Sequence, residues 1–440
     1  MSSKRKDTAA KEEPNSSLAP NLRFPEFQSA GDWTTVKLGE VATIRTEKVG
    51  QNTCVPMSIT SGVGLVSQAE KFGRVIAGDS YKNYLLLKPY DFAYNKSATK
   101  EYPEGFLALY SGAALAAVPN SIFTCFRVNG DSPDVGFLSY QFSDNLHGRW
   151  LRKFIQVGAR AHGSLSISDN DLMALPVPVP AGTNSVLEQQ KIADCLSTVD
   201  ELIAAQARKV DALKTHKKGL MQQLFPREDE TQPRTRFPEF QYAARWEVQP
   251  MEKLAKRGSG HTPSKSHPEY YDGGIKWVSL ADSKRLDAGL ISKTETEISA
   301  QGIDKSSAVL HPAGTVLISR DAGVGKSAVM VEPMAVSQHF IVWTCHADLL
   351  SNWFLYYQLQ EMKPIFERIA TGSTIKTIGL SFFKDMCISL PGVAEQERIA
   401  SCLSSLDTLI ATQAQKLETL KTHKKGLMQQ LFPSPEALAT

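Results

Sequence analysis

Residues 188–226 read EQQKIADCLSTVDELIAAQARKVDALKTHKKGLMQQLFP, and residues 395–433 read EQERIASCLSSLDTLIATQAQKLETLKTHKKGLMQQLFP. The stretches align without a gap, 207 positions apart, with 28 of 39 residues identical and the last fourteen unbroken. A shorter repeat opens each half: Arg23-Phe24-Pro25-Glu26-Phe27 and Arg236-Phe237-Pro238-Glu239-Phe240. The chain is two copies of one unit, and a repeat of this kind governs how everything else is read. The segments between the repeats, residues 28–187 and 241–394, do not resemble one another in sequence. Two like scaffolds with unlike payloads suit a molecule that reads two different things at a fixed separation.

The repeat has the periodicity of a coiled coil. Ile192, Leu196, Val199, Ile203, Gln206, Val210, Leu213, Lys217, Leu220 and Leu224 follow one another in alternating steps of four and three, and Ile399 to Leu431 repeat the pattern. A spacing of about 3.5 residues sustained over several heptads predicts a long helix with a seam. Pro226 and Pro433 end the helices, because proline cannot continue the backbone bonding. Antiparallel pairing of the two helices is expected, since a pseudo-two-fold repeat then sets the payload domains at opposite ends. It would bring Gln206 and Gln413 together mid-seam, where a polar pair fixes register; a solvated seam position is the alternative. Gly219 and Gly426, unfavourable within a helix, suggest close approach by another element or simple tolerance.

The predicted fold class is α+β: two globular, α/β-mixed domains separated by two long antiparallel coiled-coil helices in a pseudo-two-fold repeat. The division reads 1–20 polar disordered tail, 21–187 first domain, 188–226 first spacer helix, 227–240 linker, 241–394 second domain, 395–433 second spacer helix and 434–440 tail. Strand-like runs occur at 84–87, 121–128, 274–280, 315–319 and 339–345, and helix-like ones at 135–154 and 349–369. A net charge of +3 does not announce nucleic acid by itself, so any such surface is a local patch. No apolar run approaches the roughly 18 residues of a membrane span, and the N-terminus lacks a secretory apolar core. The cysteines (54, 125, 195, 345, 387 and 402) form no CxxC and no zinc-spaced cluster, which points to a reducing cytoplasm. Cys195 and Cys402, equivalent in the repeats, read as small core residues. His216 and His423 read as surface residues.

Candidate recognition residues lie on polar loops. Arg160, His162 and Ser164 sit in one Gly-flanked loop (158–164), and Thr374 and Lys376 in another (371–377). Asn95 and Lys96 follow a strand-like run, as Arg320 does. His261, Thr262 and Lys265 precede a Tyr-Tyr pair. Arg, Lys, His, Ser and Thr suit phosphate and base-edge contacts, and Asn and Arg pair with adenine and guanine respectively. Gly323-Val324-Gly325-Lys326-Ser327 imitates a phosphate loop, but the required glycine is replaced by Arg320, and residues 328–331 read as strand rather than helix. Methyltransferase, hydrolase and nuclease motifs are absent from the sequence, which reads as a recognition and scaffolding protein.

From Asn21 to Pro433 the chain resembles a specificity subunit of a type I restriction–modification system. The marks are the proline-rich entries into the helices (Leu175 to Ala193, Leu390 to Ala400), the KKGLMQQLFP helix ends, and the RFPEF openings followed by Trp33 and Trp246. Thr262-Pro263-Ser264-Lys265 with Tyr270-Tyr271 and Trp277-Val278 resembles a common start of the family's recognition domains. The resemblance implies that each domain reads half of a bipartite double-stranded DNA site, and that the helices set the gap. It implies docking of two copies of a modification subunit, which binds S-adenosylmethionine and methylates an adenine rotated out of the duplex. A restriction subunit using ATP and magnesium would join for cleavage. No cofactor, metal, catalytic residue or membrane contact is expected in this chain. A coiled-coil adaptor whose domains bind proteins is the alternative, and an NTPase working through Lys326 a third reading.

Overall fold

The computed structural model describes residues 18–60, 62–155, 165–373 and 375–434. It divides into two compact units, one holding residues up to Ala205 together with those from Leu417 onward, the other Gln206–Lys416. The division cuts both long helices, Ser185–Leu224 and Val393–Leu431, part-way along. Each unit therefore contains the start of one helix and the end of the other. No helix among the described residues is long and apolar enough to cross a membrane.

In the first unit a four-stranded antiparallel sheet runs in the order Ala42–Arg45, Phe123–Val128, Phe92–Asn95, Phe106–Leu109. A second sheet holds Gly64–Ser67, Val55–Thr60, Ala116–Val118 and Leu85–Leu87, with its middle pair parallel. Trp33–Lys37 pairs separately with Pro176–Pro180. That last strand reads PVPVP, so its missing N–H groups all fall on one edge while the valines keep their donors.

The second unit follows the same plan, although its sequence does not. Ala255–Ser259, Phe340–Cys345, Val316–Ser319 and Ser327–Met330 repeat the first sheet, extended by Leu290–Ile291. Thr296–Ile298, Tyr271–Val278 and Ala335–Val336 repeat the second sheet, again with a parallel pair. Glu247–Pro250 with Cys387–Leu390 repeats the separate ladder. The strand-like runs of the sequence land on these strands. The two helix-like runs are each broken: Val135–Ser143 and Leu146–Leu151 meet at Asn145, which is left-handed, and Asn352–Glu361 gives way to Lys363–Ile369 before Pro364.

The long helices pack antiparallel within each unit. In the second unit the Gln206 amide donates to the Gln413 side-chain oxygen at 3.0 Å and to its carbonyl at 2.9 Å, while Lys217 meets Asp407 at 2.5 Å. Partner numbers fall as positions rise. Gln206 is 8% exposed and Gln413 half-buried, so the mid-seam polar pair is bonded and partly buried. In the first unit Lys424 meets Asp200 at 2.8 Å. Each aspartate also accepts a tyrosine hydroxyl, Tyr140 on Asp200 and Tyr357 on Asp407, and each lysine lies about 5 Å over that ring. Lysine occupies an apolar seam position because it completes this Tyr–Asp–Lys clamp.

The repeat's Glu-Gln opening is explained in the same way. Arg23 forks onto Glu188 with both bonds at 2.7 Å, and Arg236 forks onto Glu395. The following glutamines, Gln189 and Gln396, are fully buried and accept the backbone N–H of Asp134 and Ser351, the caps of the next helices. Aromatic cores lie against these anchors. Phe92, Phe126, Phe137 and Phe142 pack with Ile192, Leu196, Leu431 and Phe432 in the first unit, and Trp246, Trp343, Phe354 and Phe366 with Phe225, Ile399 and Leu403 in the second.

Two expectations are corrected. A Cβ built on Gly219 or Gly426 would meet nothing within 4 Å, so neither glycine admits a neighbouring element. Cys195 and Cys402 are half-buried on the helix flanks rather than in the core, because the seam positions beside them, Leu196 and Leu403, take the interior. His216 and His423 are exposed, as read from the sequence.

Candidate nucleic-acid interface

In the second unit a chain of backbone bonds ties four loops together. His261 N–H donates to the Val336 carbonyl at 3.1 Å, Arg320 N–H to the His339 carbonyl at 3.0 Å, and Ile378 N–H to the Arg320 carbonyl at 2.8 Å. Thr371 and Thr377 exchange two bonds that close the fourth loop. Gly260 makes this packing possible, since a Cβ there would stand 1.7 Å from the Val336 oxygen.

The loops frame a concave site of about 600 Å³ lined by Thr262, Lys265, Tyr271, Trp277, Ser337, Gln338 and His339 among others. Thr262 donates its hydroxyl to Gln338 Oε1 at 2.6 Å. His339 Nδ1 lies 2.9 Å from Asp321 Oδ2. Tyr271 and Trp277 are held by the carbonyls of Pro263 and His261. Ser337 is 1% exposed and its hydroxyl has no partner among the described residues, nor have Arg320 Nε and Asp321 Oδ1. Ala322, beside them, sits at φ 38°, a conformation uncommon outside glycine that clusters at functional sites. A second cleft, of about 560 Å³, is lined by Lys326, Lys363, Glu367 and Lys376 among others.

Of the residues singled out from the sequence, His261, Thr262, Lys265, Arg320 and Lys376 are thus gathered on linked loops of one unit. His261, Lys265 and Lys376 are exposed, Thr262 and Arg320 half-buried. Thr374 lies outside the described residues.

In the first unit the same backbone positions recur. Lys96 N–H donates to the Ile122 carbonyl at 2.8 Å, and Leu165 N–H to the Lys96 carbonyl at 2.7 Å. Lys96 and Arg320 therefore occupy one topological position, just past the central strand. Lys96 Nζ is 3.5 Å from Asp169. Asn95 is 7% exposed and its side-chain oxygen takes the Ser97 N–H, so it shapes the turn instead of presenting its amide edge. Nearby, His147 is 1% exposed, with Nε2 3.4 Å from the Gly105 carbonyl. Arg160, His162 and Ser164 lie outside the described residues.

Comparison with known proteins gives this geometry a context. A family model described as the type I restriction modification DNA specificity domain matches residues 244–422. By this match and the relatives below, the chain is similar to type I specificity subunits. The MjaIX type I restriction enzyme specificity subunit of Methanocaldococcus jannaschii is 28% identical over 177 residues, 40% of this chain and 41% of that protein, so the match spans under half of that relative. The MjaX specificity subunit of the same organism is 24% identical over 334 residues, 74% of each. A crystal structure of a type I restriction-modification S subunit from M. genitalium superposes with a TM-score of 0.56 at 13% identity, over 95% of this chain and all of that one.

The phosphate-loop imitation does not form a phosphate loop in the structure. Lys326 Nζ is held by Asp287 at 2.8 Å and by the Ser283 carbonyl at 3.1 Å, and Ser327–Met330 is a strand. The sequence reading did not single out Gln338, took His339 as the start of the 339–345 strand, and saw Asp321 only as part of a polar stretch beside Arg320. Only long-range pairing brings Gln338 to Thr262 and His339 to Asp321. The one available signal was a polar Ser-Gln-His run interrupting apolar strand residues.

Proposed function

We propose that this chain is the non-catalytic, sequence-reading subunit of a cytoplasmic type I restriction–modification complex. Each unit reads one half of a bipartite site in double-stranded DNA, and the long helices set the unread gap. The chain scaffolds two modification subunits, which bring S-adenosylmethionine and methylate adenine, and a restriction subunit, which brings ATP and magnesium.

One observation carries this reading. Two units share a strand order, a Tyr–Asp–Lys clamp and a set of loop-closing bonds, yet carry different side chains at equivalent loop positions. Lys96 answers to Arg320, and Ile122 to His339. Scaffold constancy with loop divergence is what two readers of different sequences need. The modest net charge is accommodated if partner subunits complete the positive surface around the duplex.

The test is a domain exchange. The chain is co-expressed with its modification subunit and methylated adenines are mapped by sequencing. Replacing residues 28–187 with the matching segment of another family member changes one half of a gapped site and preserves the other. Changes in both halves, or in neither, overturn the proposal.

A further inference from the structure

We infer that Gln338 is a specificity-determining residue of the second unit and that it reads an adenine in the major groove. This rests on the DNA-reading function proposed above. Gln338 stands in the turn between Ala335–Val336 and Phe340–Cys345, which is closed by Phe340 N–H on the Ser337 carbonyl and anchored by Ser337 N–H on the Val278 carbonyl at 2.8 Å. The backbone beneath it is therefore fixed. The side chain is exposed, but its amide is not free to turn, because the Thr262 hydroxyl donates to Oε1 at 2.6 Å. Thr262 follows His261, whose N–H donates to the Val336 carbonyl, the same oxygen that leaves no room for a Cβ on Gly260.

The locked amide presents one remaining oxygen lone pair beside two N–H donors. In the major groove only adenine offers the complementary adjacent pair, an N6 amino donor and the N7 acceptor; guanine offers two acceptors and cytosine a donor alone. His339 stands beside Gln338. With Nδ1 held 2.9 Å from Asp321, the His339 ring is oriented in the same concavity and offers a second polar edge to the base pair. The unpartnered, buried Ser337 hydroxyl supplies a further polar group in that wall. Lys265 at the rim is placed for a phosphate. Gln338 is thus the reading residue, with Thr262 and Asp321 as positioning residues.

The experiment uses the full chain with its modification subunit. Methylation mapping first defines the site, and duplexes are then made with 7-deazaadenine replacing each adenine in turn, which deletes N7 alone. Binding is measured by competition. For the unaltered chain, one 7-deaza position in one half-site weakens binding by about tenfold or more. Gln338→Ala binds the normal duplex more weakly and is indifferent to that substitution, while sensitivity in the other half-site is retained. Thr262→Val relaxes discrimination at the same base pair to a lesser degree. Indifference of the unaltered chain to every 7-deazaadenine in that half-site overturns the inference, as does undiminished sequence preference in Gln338→Ala. The 7-deaza series stands without any variant, so misfolding of Gln338→Ala does not remove the test. A complex that methylates no gapped site sinks the functional reading instead, a result the mapping step reveals first.

Discussion

Gly260 lacks a side chain because the Val336 carbonyl occupies its place. Gly260→Ala must push the 260–262 segment off the 336–338 turn and uncouple Thr262 from Gln338. On the proposed function, we predict a tenfold or greater loss of affinity (roughly, the worth of one good base contact) confined to one half of the site. Competition with duplexes altered in one half at a time would expose it, and equal losses in both halves would contradict it. His147 makes a different prediction. Its burial drives the imidazole pKa down to about 4 from the ordinary 6.5. Between those values the unfolded chain binds a proton that the folded one refuses. Stability of the first unit therefore falls as pH drops through that window and levels off below it, by about 3 kcal/mol at most. Urea unfolding of the chain from pH 7 to pH 4 should show this decline, and His147→Leu should flatten it.

At the scale of elements, the repeated Arg–Glu forks bind each opening segment to the head of a long helix. Glu395 is 3% exposed, and its removal leaves the half-buried Arg236 guanidinium with only the Ala243 carbonyl and no counter-charge. Glu395→Ala should cost about 3–5 kcal/mol, whereas an exposed pair such as Lys421–Glu418 should cost under about 1 kcal/mol. Thermal melts of the two variants side by side would separate these cases. The helices and their antiparallel sense were legible in the sequence because a heptad pattern is local and the repeat doubled the signal, whereas the burial of Gln206 was left open against a solvated seam position. Most strands were legible as apolar runs between turn residues. The common strand order of the two units was not, since it resides in pairings such as Asn95 with Phe123 and Ser319 with Phe340, which no local pattern encodes. The site was legible only in part for the same reason. Lys96 and Arg320 each follow a strand and could be found, whereas Asp321 and His339 meet across 18 positions. Between the two readings of Gly219 and Gly426, the open space around each favours simple tolerance, which no local pattern distinguishes from close approach.

For the molecule as a whole, the uninterrupted 40-residue helix runs from one unit into the other. If it acts as the ruler, adding one heptad after Ala205 and one after Thr412 keeps both clamps in phase. The addition lengthens the coil by about 10 Å, or about three base pairs of unread DNA. Methylation mapping should return both original half-sites with a wider gap; an unchanged gap would show that the helices do not set it. The composite make-up of the first unit also bears on how the chain is born. Its aromatic core requires Leu431 and Phe432, and Asp200 awaits Lys424. A ribosome that has already delivered every residue of Gln206–Lys416 has still not supplied these pieces. The portion synthesised first is consequently the last to mature, and a transcript cut short before Leu417 yields a nascent product whose first core keeps an open apolar flank.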